Sequence, residues 1–367
     1  METPTNPLLS FNRLRKGFFL AAAIASSSTG FAQETNSVVT NAQLPQNTVV
    51  ATVSVGYDPD GIVVSPDNTT VYVANESSGT ISVIDATNNY AVKATTSVGL
   101  DPYFLAISPD GKTLYVSNNI ESGTVSVIDT TQPTYPVIAT LSVGTFPNGL
   151  AVTPDGTELY VANYGYAFRQ IPGSISVFDT ATNTLKATID TGGSPWLILF
   201  TKKGKRADVL NYLGTGFIQF VNPVSQTLSH STGGAGQIFF PDGMTSDASG
   251  STLYITDEDN FVSVCNASTG EMTAQLSAVS SVYSAFELGQ PAVSKNGKYL
   301  YVPYHYNLAT ETAANQVVMI DVTTGKIVGS PITVGYDPYW AQISPNGQTL
   351  YVANTYDGTV SVINITP

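Results

Sequence analysis

The stretch at residues 97–129, SVGLDPYFLAISPDGKTLYVSNNIESGTVSVID, decides the fold because its pattern returns along the chain. In it a Val-Gly element and a proline precede a short apolar run, a Pro-Asp-Gly turn follows, and two more β-patterned runs complete the unit. The same order begins near Val53 and again near Thr333. Self-similarity at a regular period is typical of a repeat architecture.

Two recurring positions in the sequence give the number of repeats. The first is the proline after the Val-Gly element, which recurs at Pro59, Pro102, Pro147, Pro195, Pro241, Pro291 and Pro338. The second is the residue that ends the following strand, found at Asn75, Asn118, Asn163, Asn211, Asp257, Tyr304 and Asn354. Both marks predict seven repeats of about 45 residues each.

Each repeat resolves into four short β-patterned runs, which in the first repeat begin at Gly61, Thr70, Thr80 and Ala91. Turn residues such as the Ser-Pro-Asp sequence from Ser65 separate the runs, and no window has a convincing helical period. One small sheet cannot cover both of its own faces. We therefore predict an all-β fold in which seven four-stranded blades stack in a ring, a seven-bladed β-propeller.

The ends of the chain predict how the ring closes. The last repeat stops after its third run, which begins at Val360, and has no fourth. The segment VVATVSVG from Val49 matches the fourth-run segment IATLSVG from Ile138. We expect the N-terminal strand to complete the last blade, which removes the open edge of an unclosed ring.

Composition excludes several classes of function. Only 11% of residues are charged, against about 25% in a typical domain, and the pI near 4.4 with a net charge of -13 argues against nucleic-acid binding. The single cysteine, Cys265, cannot form an intrachain disulfide, a multi-cysteine zinc cluster or an iron–sulfur centre, and we predict a small buried apolar side chain there. The basic cluster from Lys202 to Arg206 is interpreted as a solubilising turn.

The N-terminal segment has the pattern of a secretory signal. Basic residues precede an apolar run from Phe18 to Ala25, and a small-residue end at Ala32 follows. We expect residues 1–32 to be a signal peptide, residues 33–46 a flexible leader, and residues 47–367 the propeller. The run is too short to span a bilayer, so we expect no transmembrane segment and an exported monomer, periplasmic or extracellular, with cell-surface association left open.

A motif that recurs at the strand ends resembles that of a known family. Tyr-Val-Ala-Asn or Tyr-Val-Ser-Asn begins at Tyr72, Tyr115, Tyr160 and Tyr351, and a Gly-Thr-Ile/Val-Ser-Val segment or a near variant follows. The chain resembles the YVTN-type seven-bladed β-propeller repeat proteins of bacterial exported and archaeal surface-layer proteins. The resemblance implies the propeller and leaves the function open. The terminal Asn is interpreted as a repeat element rather than a catalytic signature.

Propeller geometry predicts a ligand site at one mouth of the central channel. The residues after the repeat prolines should ring that mouth: Asp60, Tyr103, Asn148, Trp196, Asp242, Ala292 and Tyr339. Tyr304 and Arg169 should stand near them, at a second-strand exit and in a long loop. Aromatic faces beside carboxylates suit a small molecule such as an amine, a carbohydrate, or a protein loop. These residues, Ala292 excepted, are the predicted ligand-binding set.

The sequence leaves open whether this mouth catalyses a reaction or binds a metal ion. Asp60 and Asp242 are candidates for a general acid–base pair, and His305 for a base, although an exposed surface histidine is the commoner case. No cofactor is predicted; calcium alone stays open, because Asp257, Glu258 and Asp259 offer hard oxygen ligands.

We expect an exported binding or interaction module rather than an enzyme. The alternatives are a hydrolase or lyase, lactonase-like or acting on polysaccharides, that uses the mouth carboxylates, and a structural repeat protein of the cell surface. Fold alone does not decide among them.

Overall fold

A computed structural model describes most of the chain after residue 46. The described residues are 47–166, 170–200, 204–212, 218–230, 238, 240–257, 260–278, 286–307, 310 and 312–365, without the side chain of His230. The chain divides into Met1–Thr35 and Asn36–Pro367, and all described residues belong to the second unit. The predicted signal peptide and leader, Arg169, Lys202, Lys203, Glu258 and Asp259 lie outside the described residues.

Seven antiparallel sheets follow one another along the chain, and no helix occurs among the described residues. Blade one contains β2 (Pro59–Val64), β3 (Thr70–Asn75), β4 (Thr80–Asp85) and β5 (Ala91–Ser97). Blade two contains β6 (Pro102–Ile107), β7 (Thr113–Asn118), β8 (Thr124–Asp129) and β9 (Val137–Ser142). Blade three contains β10 (Pro147–Val152), β11 (Glu158–Asn163), β12 (Ser174–Asp179) and β13 (Thr184–Asp190).

The remaining blades keep the same order. Blade four contains β14 (Pro195–Phe200), β15 (Ala207–Asn211), β16 (Ile218–Asn222) and β17 (Thr227–His230). Blade five contains β18 (Pro241–Ser246), β19 (Thr252–Asp257), β20 (Phe261–Asn266) and β21 (Met272–Ser277). Blade six contains β22 (Phe286–Leu288), β23 (Ala292–Val293), β24 (Tyr299–Asn307), β25 (Thr312–Asp321), β26 (Lys326–Ile327) and β27 (Ile332–Thr333). Blade seven contains β28 (Pro338–Ile343), β29 (Thr349–Asn354), β30 (Thr359–Asn364) and, from the start of the chain, β1 (Thr48–Ser54).

This architecture is the predicted seven-bladed β-propeller, closed as predicted by β1. The strand order in blade seven is β1-β30-β29-β28, and β1 runs antiparallel to β30 from the Thr48–Asn364 pair to the Ser54–Thr359 pair. The edge of β30 is therefore paired within the molecule rather than left open.

The core lies between the blades because the middle strands are buried on both faces. Every residue of β3 is buried, whereas most of the outer strand β5 is exposed. Tyr72 and Val83 of blade one pack with Leu114 and Ile128 of blade two in one apolar cluster. The near-continuous apolar runs of the middle strands are thus explained by stacking, since each blade covers the face of its neighbour.

The repeated Asn at the strand end is structural, as the sequence analysis interpreted it. The amide of Asn118 donates to Thr124 Oγ1 at 2.8 Å and to Ser126 Oγ at 3.0 Å, and its oxygen accepts from the Gly99 backbone N–H at 3.2 Å. The same pattern recurs around Asn75 and Asn163. One buried amide therefore ties the second strand to the third and to the connection from the preceding blade.

The predicted register of blade six is wrong. In the other blades the repeat proline pairs with the residue at the end of the second strand, as Pro59 does with Asn75. In blade six Leu288 pairs with Tyr304, and Ala292 pairs with Tyr301 three residues farther in. Leu288 thus holds the position assigned to Pro291, and Gly289 rather than Ala292 follows it. The cause is a break in the inner strand after Gly289: the Gly289 N–H still donates to the Pro303 carbonyl of β24, whereas Gln290 leaves the blade and bonds to blade seven.

Gln290 joins three blades at this break. Its backbone N–H donates to the Tyr339 carbonyl at 2.8 Å, and its carbonyl accepts from Ala341 N–H at 3.1 Å. Its side-chain amide exchanges two hydrogen bonds with the backbone of Met244 in blade five, at 2.9 and 2.8 Å. A Cβ on Gly289 would lie 2.1 Å from the Tyr339 carbonyl oxygen, so the close approach of the two blades requires glycine.

Candidate functional site

The two ends of the blades form two different surfaces. We call the end at which the inner strands begin, marked by Pro59 and its equivalents, the proline face. The other end carries the first-hairpin turns, such as the turn from Ser65 to Thr70, and we call it the turn face. The pairing of Pro59 with Asn75, and of Asn75 with Thr80, places the corresponding loops of each blade at the proline face.

Charge is divided unevenly between these faces. All described lysines and arginines lie toward the turn face: Lys93, Lys112, Lys186, Lys205, Arg206, Lys295, Lys298 and Lys326. The described carboxylates are divided equally, eleven to each face, and those of the proline face are Asp58, Asp60, Glu76, Asp101, Glu121, Asp190, Asp242, Asp257, Glu287, Asp337 and Asp357. Arg169 belongs by sequence to the connection between β11 and β12 but is outside the described residues. Among the described side chains, the excess negative charge therefore concentrates on one face.

The aromatic members of the predicted mouth ring, Tyr103, Trp196 and Tyr339, pack against one another in the channel. The hydroxyls of Tyr103 and Tyr339, from blades two and seven, hydrogen-bond at 2.9 Å. The Trp196 ring lies 5.9 Å from the Tyr103 ring, and its indole N–H donates to the Asp242 carbonyl at 3.0 Å. Trp196 is 2% exposed and Tyr339 9% exposed. These rings pack mainly on one another, and burial together with neighbouring Tyr339 and Asp60 raises the pKa of Tyr103 well above its usual value.

Small and large residues alternate around this ring for a packing reason. Glycine stands two residues after the repeat proline in blades one, three and five, at Gly61, Gly149 and Gly243. A Cβ on Gly61 would lie 2.5 Å from the Tyr103 carbonyl oxygen, and one on Gly149 would lie 2.7 Å from that of Trp196. The glycine blades thus let the neighbouring aromatic blades approach. The variation in side-chain size around the ring therefore has a packing cause.

The polar residues of the mouth ring, Asn148, Asp60 and Asp242, are also buried or half-buried. Asn148 is fully buried, and its side-chain oxygen accepts from the Asn119 amide at 2.6 Å. Asp60 and Glu76 are buried beside Tyr103, whereas Asp242 is half-buried. Tyr304 is buried as well: its hydroxyl donates to the Ala278 carbonyl and its ring stacks on Phe286. Tyr304 therefore belongs to the wall of blade six.

His305 is buried, although the sequence favoured an exposed histidine. It is 4% exposed, and its Nδ1 hydrogen-bonds with an oxygen of Asp337. Its Nε2 lies 3.5 Å from Glu287 Oε2, and the ring packs edge-on against Tyr339 with centroids 5.1 Å apart. The structure thus places one imidazole between two carboxylates where blade six meets blade seven. The inner strand of blade six supplies Glu287, which sequence analysis missed because that strand was assigned the wrong register.

Exposed aromatic residues lie on one side of the mouth, and none of them belongs to the predicted ligand-binding set. Tyr57 is 78%, Tyr356 76% and Tyr336 51% exposed, and Leu100 adds an apolar side chain at 69%. All lie in proline-face loops of blades seven, one and two. Tyr57, Leu100 and Tyr336 each stand directly before an Asp-Pro pair, the sequence signal that would have found them.

These rim residues are held in place by the backbone. The Tyr336 N–H donates to Asp357 Oδ2 at 2.8 Å, and the Tyr57 N–H donates to Ser78 Oγ at 2.8 Å. Val55 N–H donates to the Gly358 carbonyl at 2.9 Å, which brings the loops of Tyr57 and Tyr356 together. Burial raises the pKa of neighbouring Asp101. The result is an acidic rim with exposed tyrosines.

The described residues do not form an arrangement of oxygen ligands that would support the calcium hypothesis. Asp257 is buried, takes the place of the repeated Asn opposite Pro241, and accepts from the Phe261 N–H at 3.3 Å. Glu258 and Asp259 are outside the described residues. No group of three or more His, Cys, Asp or Glu side chains suited to a metal ion occurs among the described residues.

The basic cluster contains a structural residue. Arg206 Nε pairs with Asp208 Oδ1 at 2.8 Å, its guanidinium lies 4.0 Å from the Phe220 ring centre, and Nη1 donates to the Ser268 carbonyl at 3.1 Å. Arg206 therefore ties blade four to blade five. Cys265 is fully buried, as predicted, and burial raises the pKa of its thiol to about 12.

Comparisons with known proteins bear on the fold. The family model of the choice-of-anchor I domain matches residues 117–274. Among solved structures, Kuenenia stuttgartiensis hydrazine synthase superimposes with a TM-score of 0.70 and 21% identity, over 91% of this chain and 99% of that chain. No curated protein matches the sequence. In the described part of the chain, none of the secondary structure is a helix with the length and apolarity to span a membrane.

Proposed function

We propose that the chain is an exported binding module whose proline face takes a cationic partner, an amine or a basic peptide segment. One observation carries this proposal: exposed tyrosines lie on the face of a rigid propeller that holds carboxylates but no described lysine or arginine. Coulomb attraction from a surface of one sign accelerates the encounter with an oppositely charged partner. Tyrosine faces then hold the cation at short range.

In this proposal the buried ring supports the contact surface and does not itself bind the partner. Tyr103, Trp196, Tyr339, Asp60, Asn148 and Asp242 form the floor of the mouth, and Tyr57, Tyr336 and Tyr356 form the contact surface above it. Arg169 and Tyr304 remain predicted neighbours of the ligand without a defined contact. Export rests on the signal pattern of residues 1–32, and the match to a domain named for anchoring supports a surface or exported location.

The test is calorimetric titration of the protein with spermine and with an oligolysine peptide, and with a neutral oligosaccharide for comparison. We expect the variant Tyr57→Ser/Tyr336→Ser/Tyr356→Ser to bind the cations at least about tenfold more weakly, which corresponds to a combined loss of about 1.4 kcal/mol or more of binding free energy. The matched control replaces exposed apolar residues remote from the rim, Ile138→Ser/Leu185→Ser/Val224→Ser. Equal binding by both variants, or binding of the sugar alone, would contradict the proposal.

A second candidate function is acid–base catalysis of the hydrolase or lyase type. The observation that favours it is the imidazole of His305 between Asp337 and Glu287, next to the Tyr339 ring. Turnover of lactones and polysaccharides would be lost in His305→Gln, and in Asp60→Asn or Asp242→Asn, while binding is kept. Absence of turnover by the unaltered protein with both substrate classes would discard this candidate.

A further inference from the structure

A separate cavity lies on the other side of the aromatic layer. It has a volume of about 420 Å³ and is lined by the inner strands of all seven blades, so it is the turn-face half of the central channel. Its wall is somewhat more apolar than polar, and its apolar side chains include Ile62, Leu105, Leu150, Leu197, Met244 and Ile343. Cavities of this size and character hold small organic molecules.

The floor of the cavity carries a hydrogen-bond donor without a partner. Phe104 and Trp340 lie at the end toward the proline face, with ring centroids 5.0 Å apart. Trp340 is 9% exposed, and its indole N–H has no hydrogen-bond partner among the described residues. A buried donor left unpaired destabilises the folded protein, and a ligand acceptor at the floor would satisfy it.

The rim of the cavity is polar and carries one lysine. Lys295 lines the cavity, and its Nζ donates to the Pro345 carbonyl, another lining group, at 3.0 Å. Ser246, Ser294, Gln342 and Ser344 add hydroxyl and amide groups to the lining. Extended chain from Trp340 to Ser344 covers roughly 13 Å at about 3.3 Å per residue, which sets the length between floor and rim.

We propose that this cavity binds a small apolar molecule with an aromatic body and one anionic group. The body fills the apolar channel, the anionic group meets Lys295 at the rim, and an acceptor at the inner end takes the Trp340 N–H. The site is independent of the proposed cation surface, because it lies on the opposite face and has the opposite preference for charge.

The test uses anilinonaphthalene sulfonate, a fluorescent aromatic anion, titrated into the folded protein. We expect saturable binding of one probe per chain. Lys295→Ala should weaken it about tenfold, because a hydrogen bond to a charged group is lost. Lys298→Ala, in the same turn but outside the cavity lining, is the matched control and should change the affinity less than about twofold.

A chemical plug separates cavity binding from surface binding. Since Cys265 is fully buried with a pKa of about 12, a single cysteine introduced as Ser246→Cys can be labelled selectively after folding with a bulky aromatic maleimide. Labelling there should abolish probe binding. Labelling of Ser249→Cys, on the neighbouring turn outside the lining, should leave binding intact. Absence of saturable binding, or equal binding by both labelled proteins, would overturn the proposal.

Discussion

Asn118 illustrates how one side chain organises a blade. It is fully buried and makes three hydrogen bonds that join the second strand, the third strand and the incoming connection. The residue types at this point were predictable, because the Tyr-Val-Ser-Asn and Gly-Thr-Val-Ser sequences recur together. What recurs is a complete hydrogen-bonding set, since a buried amide without partners would be costly.

The first prediction concerns this amide. Asn118→Ala leaves the Gly99 N–H and two hydroxyls without their partner, and we expect the free energy of unfolding to fall by about 2–4 kcal/mol. Urea unfolding followed by fluorescence measures the change. Asn88→Ala, at an exposed turn position, is the control and should differ from the unaltered protein by less than about 0.5 kcal/mol. Equal stability of the two variants would show that the amide network is not stabilising.

The second prediction concerns the reactivity of Cys265. Burial raises the pKa of the thiol to about 12, so almost no thiolate is present at neutral pH. We expect Ellman's reagent to modify Cys265 only at the rate at which the protein unfolds. Rapid modification of the folded protein would mean that blade five opens locally around β20.

Among the elements, β1 closes the ring because it joins the start of the propeller to the last blade as that blade's outer strand. A chain that begins at Val55 should unfold at a temperature lower by about 5 °C or more, and should self-associate through the exposed edge of β30. Thermal unfolding and light scattering measure both effects. A chain that begins at Asn47 keeps β1 and is the matched control; similar behaviour of the two chains would refute the closure role of β1.

The hairpin that carries Arg206 gives a prediction with a pH dependence. Burial raises the pKa of Asp208 to about 6 even though Arg206 opposes the shift. Because the folded protein then binds this proton more tightly than the unfolded chain, whose value is near 3.8, stability falls as the pH rises between these values.

Arg206→Met leaves the Asp208 carboxylate buried without its cation, and we expect a loss of about 3–5 kcal/mol at pH 8. The loss should be smaller at pH 5, where Asp208 is protonated. Urea unfolding at both pH values tests this, and Lys205→Met, the exposed neighbour, serves as the control. A loss that does not depend on pH would contradict the assignment to Asp208.

Blade six shows why element order was predictable and register was not. Local periodicity and turn residues specify the number of strands, and these signals are strong in most repeats. The inner strand of blade six, however, breaks so that Gln290 can bond to blade seven and blade five. That choice depends on contacts between blades, and Pro291 offered a closer match to the local pattern than Leu288 did.

At the scale of the whole molecule, the sequence likewise predicted part of the site and not the rest. The sequence placed Tyr103, Trp196 and Tyr339 around one mouth, and they do meet there. It could not show that these rings would be buried, because that follows from glycine in the adjacent blades and from the diameter of the closed ring. The unequal distribution of charge between the faces also required the topology, which decides the end of each blade at which a loop emerges.

The most direct measurement is hydrogen exchange of the backbone amides with and without the oligolysine peptide. The proposed function predicts slower exchange confined to the proline-face loops at residues 55–58, 76–79, 99–101, 335–337 and 355–358, with the turn face unchanged. Protection of the turn-face hairpins, or no protection at saturating peptide, would contradict a cation-binding surface at the mouth.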